Sequence, residues 1–532
     1  MGKEFFAGAV RDLVGSDAAS RVSGDLMALV RKELIRPDRS TLPGEDAFRF
    51  RHLLIRDAAY DAMPKAQRAE LHERFAAWLE RTAGDAVSEQ EDIVGYHLEQ
   101  AHAYLLQLGP PDERAEAIGQ RASVHLAAAG RRASLRSDHP GGANLLRRAL
   151  SVGPDRGLER ARTLFDLGIA LLNIGDARPA TAAFEEAVEN ASGAGDRSLE
   201  LLARIRLAAS TMMSDPHGQS TEEFRVQLEE AARHFEDLGD DAALATVWTE
   251  LAEVEWMPCL YERAERAARR GVEHARRSSD LRLLEHAGAV LLAASMFGPA
   301  TSEEGLRTID ELADDAALSR HLEEFALVAR AYFVGMRGEF DEARRLLRLA
   351  DEIATSLGLR FDISANREQL GTLERYAGEP VAAERAFREN YLILDELGDE
   401  GHKSTGAANL AVALCALGRF EEAEPYAEEA IRIAAEDDTA SQAPGRSARA
   451  LRLAARGEHD EAERLAREAV ELYANAESPN FQADVWMDLA KVVRTAGKRA
   501  EAERAAREAL ALYERKENQP GVAIAQAFID EL

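Results

Sequence analysis

The chain of 532 residues has few features of secreted, membrane or metal-binding proteins. Its two cysteines, Cys259 and Cys415, lie far apart inside helical patterns. That placement argues against a disulfide framework or a cysteine metal site and is typical of buried thiols in a reducing compartment. No run of about 18 apolar residues is present, so no membrane-spanning helix is predicted. The first residues lack the charged and then apolar layout of a secretion signal. We therefore expect a cytoplasmic protein.

Aromatic residues are also scarce, at 6% of the chain, and β-branched runs are few. Alanine, glutamate, arginine and leucine dominate instead, and these side chains lose little rotamer freedom in a helix. Apolar residues make up 46%, which excludes wholesale disorder. The length exceeds what one hydrophobic core normally supports, so several domains or a solenoid are expected. The composition favours an all-α fold.

The charge is strongly of one sign, with a formal net charge of −29. Such a chain repels nucleic acid and anionic membranes unless a local basic patch opposes the overall field. Arginine outnumbers lysine by 59 to 7, which fits a GC-rich bacterial genome. The charge therefore favours a protein or peptide partner over a nucleic acid.

Motifs that carry catalytic chemistry are missing. No G-x4-G-K-[S/T] phosphate-binding loop occurs, and the nearest sequence, Gly398-Asp-Glu-Gly401-His-Lys403-Ser404, has the wrong spacing. No G-x-S-x-G elbow is found. His97 and His102 are five residues apart, which places them on different faces of a helix rather than together on a metal. We expect no enzyme activity, cofactor or metal.

What the sequence does contain is a repeat. One segment reads Leu167-Gly168, then Leu171, Gly175, Ala180, Phe184 and Ala187. This spacing resembles the tetratricopeptide consensus. The small residue after the leucine lets two helices approach, and the glycine after the first helix takes a left-handed turn. The alanine and the phenylalanine of the second helix pack back against the first.

The same spacing recurs towards the C-terminus at intervals of 40, 40, 39 and 40 residues. The turn glycines are Gly338, Gly378, Gly418, Gly457 and Gly497, and the matching alanines are Ala343, Ala383, Ala423, Ala462 and Ala502. Degenerate copies are expected over about 200–240 and 281–320, giving nine or ten helical hairpins between about 115 and 532. The period exceeds the 34 residues of the minimal motif, so either the helices or the links are longer.

Stacked hairpins form a superhelix with a concave and a convex surface. The tetratricopeptide resemblance implies that the first helix of each pair lines the concave groove, where a protein or peptide would bind. The candidate groove residues are Trp256, Tyr332, Thr372, Arg375, Lys491 and Arg494. Each of them could instead be an ordinary packed or solvated helix residue.

The first 85 residues do not follow the repeat and carry no net charge, with 14 basic and 14 acidic side chains. We predict a helix over Gly2–Val14, a second over Ser23–Leu34 and a turn-rich segment over Pro37–Glu45. A short strand at Phe48–His52 follows, and then helices at about 53–61 and 65–83. This order predicts a small winged-helix module.

Two motifs in this region resemble regulatory ATPases of the STAND class. They are Phe48-x-Phe50-x-His52-x-Leu54-x-Arg56-x-Ala58-x-Tyr60 and Arg68-x2-Leu71-His72-x3-Ala76-x2-Leu79. The start, Gly2-Lys3-Glu4-Phe5, also resembles the start of that family's winged helix. The resemblance is to maltose-activator-type regulators and to the ATPase-plus-repeat tails of bacterial class III cyclases.

The STAND resemblance implies an ATPase, then a winged helix, then tetratricopeptide repeats. By motif position it implies that His52 would sense a bound nucleotide, the alternative being a half-buried histidine that caps a helix. The ATPase itself is absent from this chain, so it was lost, lies on another chain or precedes the chosen start. A partner could then be an ATPase or a cyclase domain.

The predicted organisation is a winged-helix-like module at 1–85, a helical connector with a first degenerate repeat at 86–155, and a repeat superhelix at 156–532. The predicted function is a non-catalytic binding scaffold or sensor in bacterial signalling or transcriptional regulation. Two alternatives remain. One is DNA binding through the basic cluster of Arg31, Lys32, Arg36, Arg39, Arg49, Arg51 and Arg56. The other is a nucleotide-responsive switch whose ATPase is supplied elsewhere.

Overall fold

The computed structural model describes residues 4–40, 44–83, 89–136, 138–214, 221–256, 258–313 and 319–532. Within these ranges the chain is helical apart from one small sheet near the N-terminus. It divides into two compact units, Met1–Ser214 and Asp215–Leu532, and each is described by itself. The unit boundary lies inside the span predicted as one superhelix, and the predicted domain limits stay a prediction.

The first unit begins with a small mixed module. Its elements are β1 (Glu4–Phe6), α1 (Ala7–Val14), α2 (Ser16–Ala19), α3 (Val22–Arg31), β2 (Ile35–Asp38) and β3 (Ala47–Phe50). The strands form an antiparallel sheet in the order β1-β3-β2. The alternating apolar residues of these strands meet the apolar face of α3 in a small core, made of Phe5, Ala7, Val22, Leu26, Ile35 and Phe48.

Two predictions in this module are wrong in part. The helix predicted over Gly2–Val14 begins only at Ala7, because Glu4–Phe6 pairs with β3 and the rings of Phe5 and Phe48 stack at 6.0 Å. The turn-rich segment begins later than predicted, because Ile35–Asp38 is a strand. Pro37 fits there because β2 is an edge strand, where a missing amide donor is tolerated. Residues 1–3 and 41–43 lie outside the described ranges.

The rest of the first unit is a run of antiparallel helices. They are α4 (Leu53–Asp61), α5 (Lys65–Ala83), α6 (Glu91–Leu106), α7 (Glu113–Leu135), α8 (His139–Val152), α9 (Leu158–Asn173), α10 (Ala177–Ala194) and α11 (Arg197–Ser214). The bounds of α4 and α5 agree with the prediction. A core cluster joins α1 to α5, α6 and α7 through Ala9, Leu13, Phe75, Leu79, Leu98 and Ile118.

The second unit continues the repeat. Its helices are α12 (Thr221–Leu238), α13 (Asp241–Val254), α14 (Tyr261–Ser278), α15 (Leu281–Phe297), α16 (Ser302–Ala313), α17 (Arg320–Met336), α18 (Phe340–Leu357), α19 (Arg360–Tyr376), α20 (Pro380–Leu397), α21 (Glu400–Ala416), α22 (Phe420–Ile433), α23 (Thr439–Ala455), α24 (His459–Leu472), α25 (Pro479–Thr495), α26 (Arg499–Lys516) and α27 (Gln519–Asp530). Seven helix pairs run from α13/α14 to α25/α26 within the described ranges. In each pair we call the first helix A and the second helix B.

The predicted spacing is confirmed by backbone and burial. The five turn glycines all have positive φ, between 71° and 81°. The five matching alanines are at most 2% exposed. The long period could come from longer helices or from longer links, and the helices are the cause. The helix α17 has 17 residues and α18 has 18, and the links between them are short. The structure also explains why the residue after the leucine is small. A Cβ added at Gly168 would lie 2.5 Å from the ring of Phe184.

The turn glycines give a local test. Gly418 has a φ of 71° and open space around its Cα, so Gly418→Ala adds backbone strain without a clash. We expect the free energy of unfolding to fall by about 1–2 kcal/mol. Gly401 is the control, because it lies in α21 with no crowding atom nearer than 3.6 Å, and alanine there should raise stability by about 0.5 kcal/mol. Urea unfolding measures both, and equal effects would contradict the turn assignment.

Candidate functional site

The six predicted groove residues lie at or near the C-terminal ends of A helices in the second unit. Tyr332 is on α17, Thr372 and Arg375 are on α19, and Trp256 closely follows α13. The remaining two, Lys491 and Arg494, are on α25. Trp256, Tyr332 and Arg375 lie where the middle repeats meet the C-terminal repeats of the same unit. We call this meeting point the closure contact, made of Trp256, Phe297, Tyr332, Arg375 and Tyr376 on one side and Tyr473, Asn480, Phe481, Asp484, Tyr513 and Lys516 on the other.

An aromatic cluster forms one part of the closure contact. The ring of Phe297 lies 5.5 Å from that of Tyr261 and 5.7 Å from that of Phe481, which in turn stacks on Tyr473 at 6.1 Å. Trp256 packs against the same cluster. The two sides of the cluster are about 180–220 positions apart in sequence. Aromatic contacts of this kind add to the ordinary gain from burial.

A carboxylate is the second part. Asp484 accepts hydrogen bonds from Arg375 Nη2 at 2.6 Å, Tyr513 OH at 2.5 Å and Tyr376 OH at 3.2 Å. Burial disfavours the charged form of Arg375, but the neighbouring Asp484 carboxylate favours it and holds the pKa of Arg375 above its ordinary value. Burial and the same carboxylate raise the pKa of both tyrosines. The four groups therefore form one partly buried, charge-assisted network.

A fully buried lysine is the third part. Lys516 Nζ donates to the backbone carbonyls of Ser295 at 3.1 Å, Gly298 at 2.5 Å and Ala300 at 2.6 Å. Three acceptors match the three N–H groups of an ammonium. Burial lowers the pKa of Lys516 to about 7.

Amide and hydroxyl side chains complete the closure contact. Asn480 donates to Tyr332 OH at 2.8 Å and accepts from Asn518 at 3.0 Å. Ser478 Oγ donates to the carbonyl of Phe297 at 2.8 Å. Burial raises the pKa of the Tyr332 phenol. Tyr332 thus has a partner within the chain.

The structure therefore separates the six predicted residues into two groups. Trp256, Tyr332 and Arg375 are packed or bonded within the closure contact, and Thr372 lines a small cavity beside Tyr332. Lys491 and Arg494 lie apart, with 45% and 43% of their side chains exposed; Lys491 bonds Asp488 at 2.8 Å, and Arg494 lies 4.3 Å from the ring of Phe528. Their role in binding a partner stays a prediction.

Asp484 and Lys516 were not singled out from the sequence. Lys516 is the last residue of its B helix, a position that Leu357 and Leu397 occupy in earlier repeats. The chain has only seven lysines, so a lysine at a position that holds leucine in other repeats could have been noticed in the sequence. Asp484 carries no comparable signal, because acidic residues are common on these helices.

His321 was missed as well. Its ring contacts Glu285 at 2.9 Å and Asp362 at 2.8 Å, so it bridges the A helices α15, α17 and α19. Hydrogen bonds to Asp362 and Glu285 raise the pKa of His321 to about 10. The imidazolium therefore joins three consecutive repeats as an internal cation.

In the first unit, the predicted nucleotide-sensing His52 is exposed and directly precedes α4. Arg49 of the basic cluster pairs with Asp38, and Arg56 pairs with Asp57. Exposed apolar side chains lie among the exposed basic ones, with Leu54 80% exposed; the others are Met27, Leu29 and Leu53. The surface is therefore mixed in character rather than purely basic.

A buried histidine pair joins α5 to α6. His72 Nδ1 lies 2.8 Å from His97 Nδ1, and His72 Nε2 lies 2.8 Å from Tyr60 OH. Tyr60 OH is 3.0 Å from Tyr104 OH, and Arg68 lies 4.6 Å from the Tyr60 ring. Burial lowers the pKa of His72 to about 3, and that of His97 is lowered for the same reason. Both rings are therefore neutral at pH 7.

This pair predicts acid sensitivity of the first unit. A free histidine takes up a proton near pH 6.5, whereas folded His72 resists it down to about pH 3. The unfolded state therefore binds more protons below pH 6.5, and His72 alone should lower stability by about 1.4 kcal/mol per pH unit between pH 6 and 4, to which His97 adds. His72→Gln should reduce this slope by the contribution of one histidine, and His52→Gln, at an exposed site, should leave it unchanged. Urea unfolding between pH 4 and 7 measures the slopes, and an unchanged slope in His72→Gln would contradict the assignment.

Within the described residues, no group of three or more metal-ligating side chains comes together. No helix in the part of the chain that the structure covers is both long and apolar enough to cross a membrane.

Comparison with known proteins supports the repeat assignment. Family models described as tetratricopeptide repeat match residues 404–475 and 487–519. No curated protein sequence matches the chain at a significant level. These segments therefore contain tetratricopeptide repeats, and the described fold is helical and tetratricopeptide-like apart from the small N-terminal sheet. Proteins built from such repeats bind protein or peptide partners and are generally non-catalytic scaffolds.

Several solved structures are similar to the chain at low sequence identity. The Cut9–Hcn1 hetero-tetramer of the APC/C has 13% identity, a TM-score of 0.48 and coverage of 90% of this chain and 98% of that one. A Rap protein complexed with competence and sporulation factor has 13% identity, a TM-score of 0.43 and coverage of 70% and 98%. A STAND protein with a tetratricopeptide repeat sensor from Pyrococcus horikoshii has 14% identity, a TM-score of 0.36 and coverage of 99% and 64%.

Proposed function

We propose that this chain is a non-catalytic, cytoplasmic scaffold that binds a protein or peptide in bacterial signal transduction or transcriptional regulation. The observation that carries the proposal is the unbroken series of tetratricopeptide-like pairs in the second unit, which ends in the segments matched by the family models. Stacked pairs of this kind present long continuous surfaces suited to extended or helical ligands. Lys491 and Arg494 are the predicted groove residues with the most accessible charge.

We propose further that the N-terminal module is a winged helix of the type found in STAND regulators. The order strand, three helices and two strands, with β3 between β1 and β2, supports this reading. In that case the module would dock an ATPase or a cyclase supplied elsewhere, and His52, exposed at the start of α4, would be placed to sense its nucleotide.

DNA binding remains the second candidate because five basic side chains of the module are exposed and have no ion-pair partner among the described residues. They are Arg31, Lys32, Arg36, Arg39 and Arg51. Against it, α3 also exposes Asp25, Met27 and Leu29, and a phosphate-binding helix face would carry few such groups. A protein partner suits this mixed surface better.

Affinity capture with the full-length chain under native conditions tests the scaffold proposal. We expect a protein or peptide partner that is retained specifically, and a gel shift with DNA at low salt that stays negative. Recovery of no partner would contradict the scaffold role. A salt-dependent shift with DNA would favour the second candidate instead.

A further inference from the structure

The closure contact engages much of the predicted inner groove, but a second concavity in the same unit remains open. It lies between the B helices α24 and α26, with α25 as its floor, and has a volume of about 570 Å³. We call it the α24–α26 groove. Its lining residues are Arg467, Val470, Glu471, Tyr473, Ala474, Gln482, Val485, Trp486, Leu489, Glu508, Ala511, Leu512 and Arg515.

The groove exists because its walls carry small side chains. Ala474 follows α24 and Ala511 lies on α26, and both are exposed, so neither fills the gap above the floor. The floor is apolar: Val485 and Leu489 are buried, and Trp486 is half-buried. Water over such a floor is readily displaced by apolar side chains, which is the main driving force of helix-in-groove recognition.

The rim is charged, and several of its charges are unused. Glu471 on one wall and Glu508 on the other have no ion-pair partner in the described part of the chain, and neither has Arg515. Arg467 is already held by Glu463 and Glu501 through bonds of 2.6 and 2.8 Å. The rim therefore carries two free carboxylates, one on each wall, against the one free guanidinium of Arg515, so its unpaired charge is net negative.

The dimensions match a helix. Glu508 to Arg515 on α26 covers eight residues, or about 10 Å of helix, and the opposite wall, from Arg467 on α24 to Ala474 just beyond it, has the same number of residues. That length accommodates two turns of a ligand helix, whose apolar side chains would stand at positions i, i+3 or i+4, and i+7. A shorter or flatter ligand would leave part of the floor exposed to water.

We propose that the α24–α26 groove binds a basic amphipathic helix of a partner protein. Two or three aliphatic side chains of the ligand cover Trp486, Val485 and Leu489. Lysine or arginine side chains on both flanks of that apolar stripe pair with Glu471 and Glu508. This inference rests on the proposed protein-binding function and assigns that function to a surface other than the predicted inner groove.

The experiment uses the full-length chain and a labelled synthetic helical peptide with leucines at i, i+3, i+4 and i+7 and lysines on both flanks. Fluorescence anisotropy measures its binding. We expect saturable binding that weakens as salt increases. Peptides with serine in place of leucine, or glutamate in place of lysine, should bind at least about tenfold more weakly. Failure of the leucine–lysine peptide to bind the unmodified chain overturns the proposal.

Variants locate the site. Ala474→Phe with Ala511→Phe fills the groove at two exposed positions and should weaken binding at least about tenfold. Ala500→Phe, at an exposed alanine of α26 outside the lining, is the matched control and should bind normally. Glu471→Gln with Glu508→Gln should weaken binding and reduce its salt dependence. Circular dichroism checks that each variant is folded, and undiminished binding by the filled variant overturns the proposal.

The outcomes separate this proposal from the scaffold function. If native capture finds a partner that the filled variant still retains, the scaffold function stands and the groove assignment falls. If no partner is captured, but the peptide binds the unmodified chain and does not bind the filled variant, the groove assignment stands and the scaffold function is contradicted.

Discussion

Replacement of Lys516 by alanine is expected to lower the free energy of unfolding of the second unit by about 3–5 kcal/mol. The side chain is fully buried, and its amino group donates to three backbone carbonyls around the C-terminal end of α15. Carbonyls at the end of a helix have no following helical amide to accept from, so each would be left buried without a donor. The lost methylene groups would also leave a cavity.

Two further variants isolate the cause. Lys516→Met keeps most of the packing but supplies no donor, so it should recover only part of the loss. Lys498→Ala removes a lysine that is 44% exposed and paired with Glu463 at the surface, and it should change stability little. Urea unfolding followed by circular dichroism gives the values, and hydrogen exchange should show faster opening of α15 and α26 in Lys516→Ala. A loss no larger than that of Lys498→Ala would rule out the structural role.

The repeats could be predicted because their determinants are local. A turn glycine such as Gly418 and an alanine such as Ala423 are set by contacts within one helix pair, and the same contacts recur about every 40 residues. The helices α4 and α5 were predicted for the same reason. Propensity and apolar periodicity act over one or two turns and can be read from a single sequence.

The strand at Glu4–Phe6 could not be predicted in this way. Three residues are too few to show the alternation of a strand, and the strand is set by its pairing with Ala47–Phe50, about 43 positions later. Pairing over such a sequence distance cannot be read from the local sequence. In the sequence, Pro37 indicates a turn, and only the structure shows that it lies in the edge strand β2.

The closure contact could not be predicted for a more general reason. Whether Arg375 meets Asp484, 109 residues away, depends on the small rotation that each repeat adds to the stack. The successive pairs from α19 to α25 accumulate those rotations, and no single pair encodes their sum. The tetratricopeptide resemblance placed Arg375 and Tyr332 on an inner surface but did not indicate that the same chain would occupy that surface.

Replacement of Asp484 by alanine is the second change with a large expected effect, about 2–3 kcal/mol in the free energy of unfolding. The Asp484 carboxylate accepts from the Arg375 guanidinium and also from the hydroxyls of Tyr376 and Tyr513. Its removal leaves the half-buried Arg375 guanidinium without this partner, and the hydroxyls of Tyr376 and the buried Tyr513 without this acceptor. The cost of such a change is mainly the penalty for the groups left behind.

A double-mutant cycle tests this reasoning. Arg375→Met removes the cation that Asp484→Ala would leave without its partner. The double variant should therefore lose less stability than the sum of the losses of the two single variants, and the coupling energy should be about 1–3 kcal/mol. Glu503→Gln is the exposed control, since Glu503 pairs with Arg507 at the surface and should change stability by less than about 1 kcal/mol. Additive single effects would mean that Arg375 and Asp484 act independently. A coupling of the expected size would establish that the inner face is held closed by a network whose members lie in repeats far apart in the sequence.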